Sequence, residues 1–211
     1  MTFFTSDQHF GHFNIIRLCS RPFGTVEEMV EALLSKWNAK VKADDIVYIL
    51  GDLFFRAAKV EPILKALNGR KHLIVGNHDH TWMKGMAMSD YFASVQTLKE
   101  VEIDGRVLTL CHYPMLSYPQ ARRGYMVYGH IHNNVRDDYW PLIARRSRML
   151  NVGVDVNDFE PVTFDGGRGL SPGADWADGD CPRVVAWDEE GRALRLAPPV
   201  PRGLRRRGHL I

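Results

Sequence analysis

Five short polar clusters carry the side chains of this sequence that are best suited to chemistry. Each cluster contains Asp, Asn or His, whose oxygen and nitrogen atoms are good ligands for divalent first-row metals. Any one cluster would be weak evidence, because such residue pairs are common by chance. Together they offer enough ligands for two metal ions that share one carboxylate, and the candidates are Asp7, His9, Asp52, Asn77, His112, His130 and His132.

Each polar cluster directly follows a short apolar segment that predicts a β-strand. The predicted strands are residues 2–6, 46–50, 72–75, 106–111 and 125–128. Because strand ends line a common crevice in open α/β sheets, we expect the clusters to converge. Asp7 and His9 should point to the same side as residues i and i+2 of an extended segment, and so should His130 and His132. Glycines allow tight turns and close backbone approach at three of these strand ends, Gly51, Gly76 and Gly129.

The elements between the clusters indicate an α/β fold with mixed sheets. Thr25 and Glu28 have the spacing of a capping box, and the apolar residues that follow recur with a helical period. A second helix is predicted over residues 57–67. Residues 95–103 and 106–111 flank Asp104-Gly105, which is a strong hairpin signal. Helices early and hairpins later argue against a purely parallel, doubly wound sheet.

Composition excludes several classes of protein. The chain has 211 residues, a formal net charge of +2, 45% hydrophobic and 25% charged residues, as ordinary globular proteins do. This charge is too small to indicate nucleic-acid or membrane binding by itself. The three cysteines form no CxxC pair, so neither a disulfide framework nor a thiolate zinc site is favoured. With no signal peptide and no long apolar stretch, we expect a cytoplasmic protein without a membrane partner.

The composition changes near residue 165. Residues 165–182 are crowded with Gly, Asp and Pro, which predicts a long loop or linker. A hairpin is predicted from residues 183–187 and 193–196, and the basic end of the chain indicates a mobile tail. We therefore expect a main domain over residues 1–164 and a C-terminal extension over residues 165–211.

The order of the five clusters resembles that of the calcineurin-like metallophosphoesterase superfamily. The superfamily pattern is D-x-H, G-D, G-N-H-[DE], H and G-H-x-H, and here it is DQH, GD, GNHD, the His of CHYP, and GHIH. The resemblance covers residues 1–164, and the stretch SDQHFGHFNIIR is similar to a small bacterial and phage subgroup. It implies an α/β four-layer sandwich in which two mixed β-sheets are flanked by helices.

The resemblance also implies roles for the candidate ligands. One ion would take Asp7, His9 and His132, the other would take Asn77, His112 and His130, and Asp52 would bridge them. A hydroxide between two such ions can attack phosphorus in line. The ions would be Mn²⁺ as a first choice, with Fe, Zn²⁺, Ni²⁺ or Mg²⁺ as alternatives.

His78 would be catalytic, as a general acid or as a stabiliser of the phosphoryl oxygens, and Asp79 would orient it. One departure from the superfamily pattern argues against a protein phosphatase and against one type of nuclease. Phe55 stands where the protein phosphatase branch has an Asp and where a nuclease branch has a His. Three nearby residues are candidates for substrate binding: His12, Asn14 and Arg56. His12 is equally explained as an ordinary capping or surface residue, and Arg56 is better explained as a solvated arginine at the start of a helix.

The sequence thus predicts a dinuclear metal-dependent phosphoesterase. Its substrate would be a phosphodiester of small nucleotides or nucleic-acid ends, with a phosphomonoester as the near alternative. A nuclease or nucleic-acid repair factor is a second hypothesis, based on the basic segment 145–148 and the basic tail. A non-catalytic interaction scaffold on the same fold is a third. Oligomeric state stays open.

Overall fold

A computed structural model describes residues 1–165, 185–187 and 193–195. Residues 1–165 contain two four-stranded sheets, in which the strands lie side by side in chain order. The first sheet is wholly parallel and consists of β1 (Thr2–Thr5), β2 (Ile46–Ile49), β3 (Arg70–Ile74) and β4 (Ser94–Gln96). The second is mixed, since only its first two strands are antiparallel: β5 (Leu98–Ile103), β6 (Arg106–Cys111), β7 (Tyr125–Tyr128) and β8 (Met149–Asn151).

Five helices accompany these sheets in the described residues: α1 (Phe13–Leu18), α2 (Val26–Lys40), α3 (Val60–Ala66), α4 (Asp79–Trp82) and α5 (Trp140–Ala144). The predicted start of α2 is confirmed, because Thr25 Oγ1 accepts a hydrogen bond of 3.1 Å from the Glu28 amide. Helix α3 begins later than predicted. Lys59, directly before its first residue, has φ −127° and ψ 64°, which lie outside the helical region. No described helix is long and apolar enough to span a membrane.

Three apolar cores separate four layers. In the first sheet alternate side chains face opposite ways, as strand geometry requires. Phe3 and Val47 pack against the helices, together with Trp37 of α2. Their neighbours Phe4 and Tyr48 pack between the two sheets.

A third core lies on the outer face of the second sheet, where Met126 and Met149 pack with Ile143 of α5. The predicted four-layer sandwich is confirmed, with the refinement that one of its sheets is entirely parallel.

The predicted strand 95–103 is in fact two strands in different sheets. Ser94–Gln96 pairs with β3, and the chain then crosses at Thr97 so that Leu98–Ile103 pairs with β6.

The predicted hairpin between β5 and β6 is confirmed. Asp104 and Gly105 have φ values of 51° and 73°, the two positive values that a tight two-residue hairpin turn needs.

Two further strands pair antiparallel, β9 (Val185–Trp187) and β10 (Ala193–Arg195). They coincide with the segments predicted to form a hairpin. The predicted loop over 165–182, apart from Asp165, and the basic tail lie outside the described residues. The boundary near residue 165 stays a prediction.

Asp79 ties together the loops that leave β2 and β3. It is fully buried, and its Oδ2 accepts hydrogen bonds from the amides of Asp52 (2.9 Å) and Gly76 (2.7 Å). Its Oδ1 accepts from the Leu53 amide (3.0 Å) and from Trp82 Nε1 (2.8 Å). None of these four bonds comes from the imidazole of His78. The expectation that Asp79 orients His78 is therefore corrected, because its carboxylate instead holds two loops in register.

Replacing Asp79 with Asn should destabilise the fold. Each carboxylate oxygen of Asp79 accepts hydrogen bonds from two N–H groups. Asn has an NH₂ group in place of one of these oxygens, so in either orientation two buried donors lose their acceptor. We expect the free energy of unfolding to fall by about 3 kcal/mol. Urea unfolding in the presence of a chelator measures this without a contribution from bound metal.

The matched control is His80→Ala, which changes an exposed residue of the same helix. Its effect should stay within about 0.5 kcal/mol. Equal urea midpoints for Asp79→Asn and the unmodified protein would contradict the tethering role.

Candidate metal centre

The loops that leave five strands meet at the carboxyl-terminal edge of the two sheets. The loop after β1 supplies Asp7 and His9, and the loops after β2 and β3 supply Asp52 and Asn77. From the second sheet come His112 after β6, and the pair His130 and His132 after β7. Backbone pairing between Ser6 and Gly153 joins the two sheets at this edge. The predicted convergence of strand ends is what the structure shows.

The backbone at these residues is not extended, contrary to expectation. Five of the predicted ligands have φ in the left-handed region: Asp7 (62°), His9 (52°), Asp52 (52°), His130 (69°) and His132 (51°). Such values are uncommon for residues other than glycine and cluster at functional sites. The members of each i, i+2 pair therefore reach the site through tight left-handed turns. The predicted proximity of Asp7 and His9 is correct, but the predicted reason for it is wrong.

Asp7, His9 and His132 form one group of potential ligands, with ligand atoms within 4.8 Å of one another. Asp7 Oδ1 and His9 Nε2 are buried and have no hydrogen-bond partner among the described residues. His132 Nδ1 donates to Asp155 Oδ2 at 2.7 Å, so Nε2 is the nitrogen left for a metal ion. Burial opposes protonation of this ring, but hydrogen bonds to Asp155 and Cys19 outweigh it and raise the pKa of His132 to about 11, so a bound metal ion would displace the proton on Nε2. Buried polar atoms without partners are rare in proteins, and two in one cluster favour a bound cation.

Asn77, His112 and His130 form a second group. Asn77 Oδ1 lies 3.0 Å from His112 Nε2 and 3.0 Å from His130 Nδ1. His112 Nδ1 donates to the Leu50 carbonyl at 2.7 Å, so Nε2 is the nitrogen that faces the site. Ligands about 2.1 Å from a metal and at right angles to each other lie about 3.0 Å apart. The spacing of this group therefore suits a metal ion.

Asp52 lies between the two groups. Its Oδ2 is 3.6 Å from His9 Nε2 in the first group and 3.5 Å from His112 Nε2 in the second. Its Oδ1 accepts a hydrogen bond of 2.9 Å from the His78 amide. The position matches that of a carboxylate shared by two ions.

The electrostatics at the first group favour a cation as well. Burial raises the pKa of Asp7 and lowers the pKa of His9 well below its usual range. The carboxylate of Asp7 thus needs a positive charge in order to stay ionised, and the imidazole of His9 is neutral, which is the form that binds metals.

In the second group burial opposes protonation of His112, but hydrogen bonding to Asp52 outweighs it and raises the pKa of His112. Burial, together with the neighbouring His112, lowers the pKa of His130 to about 4. Burial also opposes ionisation of Asp52, but hydrogen bonding to His112 and to the His78 amide outweighs it and lowers the pKa to about 2. The residues of both groups therefore fit divalent metal ions in ligand type and spacing, and binding would displace protons from His132 and His112.

Close packing of the ligand loops depends on glycine. A Cβ atom at Gly129 would lie 2.5 Å from Asp7 Oδ2 and would collide with Ser6. The His130 amide, one residue further on, donates to the same Asp7 Oδ2 at 2.9 Å. The predicted need for close backbone approach is confirmed here.

The face of the site beside Asp52 is lined by His78 and by aromatic rings. The His78 side chain is partly exposed, and its Nε2 lies 3.9 Å from Asp52 Oδ2. Phe55 packs edge-on against it, with ring centroids 4.8 Å apart. His78 thus has an apolar neighbour where related branches have a charged or polar one.

The three residues proposed to bind substrate are placed unequally. His12 contacts His9 through their Nδ1 atoms (3.3 Å) and lies against Phe55 (4.0 Å between ring centroids). Arg56 is exposed, and its guanidinium lies 5.4 Å from the Phe55 ring. Asn14 is exposed on α1, and no described side-chain contact joins it to the metal ligands. His12 and Arg56 therefore border the site, whereas Asn14 stands apart from it.

Two buried residues near the site were not predicted, Arg21 and Asp155. Asp155 follows β8 after a short turn, so the rule that polar residues follow strands would have found it. Arg21 lies in the loop after α1 and has no such signal in the sequence. Burial opposes ionisation of Asp155, but hydrogen bonds from His132 and Arg21 outweigh it and lower its pKa.

Cys19, His132 and Asp155 also lie close enough to hold an ion. Both oxygens of Asp155 already accept hydrogen bonds from Arg21. The positive guanidinium makes this group unsuitable for a cation.

Comparisons with known proteins agree with this geometry. The chain is 39% identical over 163 residues to an uncharacterised protein of Methanocaldococcus jannaschii, covering 76% of this chain and 85% of that protein. It is 27% identical over 188 residues to the gene 66 protein of a Mycobacterium phage, covering 75% of this chain and 90% of the phage protein. A crystal structure of an Aquifex aeolicus protein of unknown function superposes with a TM-score of 0.61 and 27% identity, covering 77% of this chain and 94% of that chain.

A family model for calcineurin-like phosphoesterases matches residues 2–183. This match covers all five strand-end loops that carry the potential ligands. The chain belongs to the calcineurin-like phosphoesterase family.

Proposed function

We propose that this protein is a metal-dependent phosphoesterase that hydrolyses phosphodiester bonds of small nucleotides or of nucleic-acid ends. One observation carries the proposal. Seven nitrogen and oxygen ligands from five loops converge, with Asp52 between two groups of three, and two of their buried atoms, Asp7 Oδ1 and His9 Nε2, have no hydrogen-bond partner among the described residues. Family membership supports the same reaction class.

The protein's own residues would bind and orient the phosphoryl group. Two divalent ions, when bound, would neutralise charge on the phosphoryl oxygens and activate the attacking water. Asp52, between the two groups, keeps both positions close together. His78, partly exposed on the Asp52 side, can donate a proton to the leaving oxygen. Mn²⁺ is our first candidate, and the nitrogen and oxygen ligands also accept Fe, Zn²⁺, Ni²⁺ and Mg²⁺.

The surroundings of the site favour a small substrate with an aromatic portion. Phe55 lies beside His78, and the partly exposed Tyr113 lies beside His130, with ring centroids 4.7 Å apart. Rings on two sides of the ligands offer surfaces on which a nucleobase can stack. A protein phosphatase is disfavoured, because Phe55 replaces the Asp that pairs with the catalytic His in that branch.

Asp52→Asn should remove most of the activity, because the ligand between the two groups loses its charge. We expect turnover to fall by about 10²–10³-fold, as when a preorganised electrostatic group is lost elsewhere. The measurement is a panel of mono-, di- and cyclic phosphoesters, each assayed with Mn²⁺, Fe²⁺, Zn²⁺, Ni²⁺ and Mg²⁺.

Asp44→Asn is the matched control, since Asp44 is exposed at the opposite end of the same strand, β2. It should leave turnover unchanged. Full activity of Asp52→Asn on every substrate would disprove the proposed site. Activity confined to monoesters would correct the substrate class.

His78→Ala tests proton donation. A poor leaving group needs a proton as its bond to phosphorus breaks, whereas a good leaving group departs without one. We expect turnover to fall by about 10²-fold for alkyl leaving groups and much less for nitrophenyl leaving groups. His80→Ala, an exposed His two residues away, is the control and should have no effect. An equal loss for all leaving groups would assign His78 to charge stabilisation instead.

The position of the basic segment 145–148 gives little support to the nuclease hypothesis. Arg148 directly precedes β8, whereas the ligand loops lie at the opposite, carboxyl end of the sheet. Its guanidinium donates to the Arg123 carbonyl at 2.7 Å and lies 5.3 Å from the Tyr125 ring. We therefore expect weak polynucleotide binding with little dependence on salt.

A salt titration of polynucleotide affinity measures the number of phosphate contacts. Proteins with about six to ten such contacts lose about 10³-fold or more in affinity between about 50 and 200 mM salt. A loss of this size would favour the nuclease hypothesis over a small substrate.

A further inference from the structure

Arg21 is a buried cation that contacts two separate parts of the candidate metal centre, Asp155 and the loop after β1. Its side chain has no exposed surface, and that of Asp155 is 1% exposed. The guanidinium forms a two-pronged pair with Asp155, from Nε to Oδ1 (2.7 Å) and from a terminal nitrogen to Oδ2 (2.9 Å). Its terminal nitrogens also donate to the backbone carbonyls of Asp7 (2.7 Å) and Gln8 (2.8 Å).

Asp155, which Arg21 holds in place, in turn holds His132 through a hydrogen bond. Asp155 Oδ2 accepts from His132 Nδ1 at 2.7 Å, which fixes both the ring orientation and the nitrogen that is left for a metal ion. On the other side, the two carbonyl contacts hold the loop in which Asp7 and His9 have φ values of 62° and 52°. One guanidinium therefore connects a ligand loop of the first sheet with a ligand of the second.

A buried ion pair rarely adds net stability, because removing two charges from water costs about as much as their attraction returns. The arrangement needs another explanation, and its geometry offers one. A rigid, planar fork with several fixed donors is suited to holding groups in place. Apart from Met29 Sδ, which accepts from a terminal nitrogen of Arg21 at 3.4 Å, every group that Arg21 and Asp155 hold belongs to, or leads into, the set Asp7, His9 and His132.

The second set of ligands is held by different contacts. His112 is fixed by the Leu50 carbonyl, and Asn77 lies against His112 and His130. No described hydrogen bond joins Arg21 or Asp155 to these three residues. The side chains of the two sets thus have separate supports, and the hydrogen bond from the His130 amide to Asp7 Oδ2 (2.9 Å) links the two sets.

We propose that Arg21 and Asp155 are positioning residues that assemble Asp7, His9 and His132 into one ion position and leave the other position independent. This inference rests on the proposed metal-dependent function. Outer hydrogen-bond partners of metal ligands are typically worth about 10–100-fold in metal affinity. Loss of the pair should therefore weaken one ion by that factor and spare the other.

The test is calorimetric titration of the metal-free full chain with Mn²⁺, together with the metal content after dialysis. The unmodified protein should bind two ions. Asp155→Asn should bind one with unchanged affinity and a second about 10–100-fold more weakly. Arg21→Lys keeps the charge but loses the fork, so it should show the same selective loss and serves if Asp155→Asn folds poorly.

Glu160→Gln is the matched control, because it removes a carboxylate from the same segment after β8. Glu160 pairs with Lys40 of α2 at 3.1 Å, outside the ligand sets. It should bind two ions as the unmodified protein does. His130→Ala, which removes a ligand of the second set, identifies the position lost: the double variant with Asp155→Asn should retain no tightly bound ion.

The outcomes are distinguishable. Two ions bound by Asp155→Asn and Arg21→Lys with unchanged affinity, or both ions weakened equally, would overturn the positioning role while leaving the proposed function intact. An unmodified protein that binds no Mn²⁺ or other divalent ion would overturn the proposed function itself, and this inference with it.

Discussion

Two buried carboxylates, Asp7 and Asp52, determine how the ligand loops are placed at the edge where the sheets meet. They are 0% and 2% exposed, and burying such charges costs several kcal/mol unless they are compensated. Each receives one backbone N–H at 2.9 Å, Asp7 from His130 and Asp52 from His78. These donors belong to the loops after β7 and β3. The bonds that compensate the charges are therefore the same bonds that draw the other ligand loops into place.

The sequence was sufficient to predict which residues gather at this edge. Apolar strands that end in polar clusters have few alternatives in an α/β fold, so the loops after β1, β2, β3, β6 and β7 could be assigned from their order alone. The backbone conformation was beyond prediction, because left-handed values at Asp7 or His130 depend on tertiary hydrogen bonds. The crossing at Thr97 was also hidden, since residues 95–103 are equally good as one strand or two.

The residues that support the ligands were harder to recognise. Asp79, beside His78, looks catalytic in the sequence, yet its carboxylate accepts four hydrogen bonds and none comes from His78. A buried carboxylate has the same appearance in a sequence whether it accepts backbone amides, an arginine or a metal. Only the partners distinguish Asp79 from Asp155 and from Asp52, and those partners are distant along the chain.

The two ligand sets are supported in physically different ways. His112 is held by a neutral carbonyl, that of Leu50, directly after a strand at the centre of the inter-sheet core. His132 is held by a charged pair between residues 134 positions apart, from the loop after α1 and the turn after β8. A neutral carbonyl holds an imidazole without burying a further charge, whereas the Arg21–Asp155 pair buries two charges, with side chains that are 0% and 1% exposed. Loss of one partner of that pair would leave the other charge buried and uncompensated, so the first set depends on both residues being present.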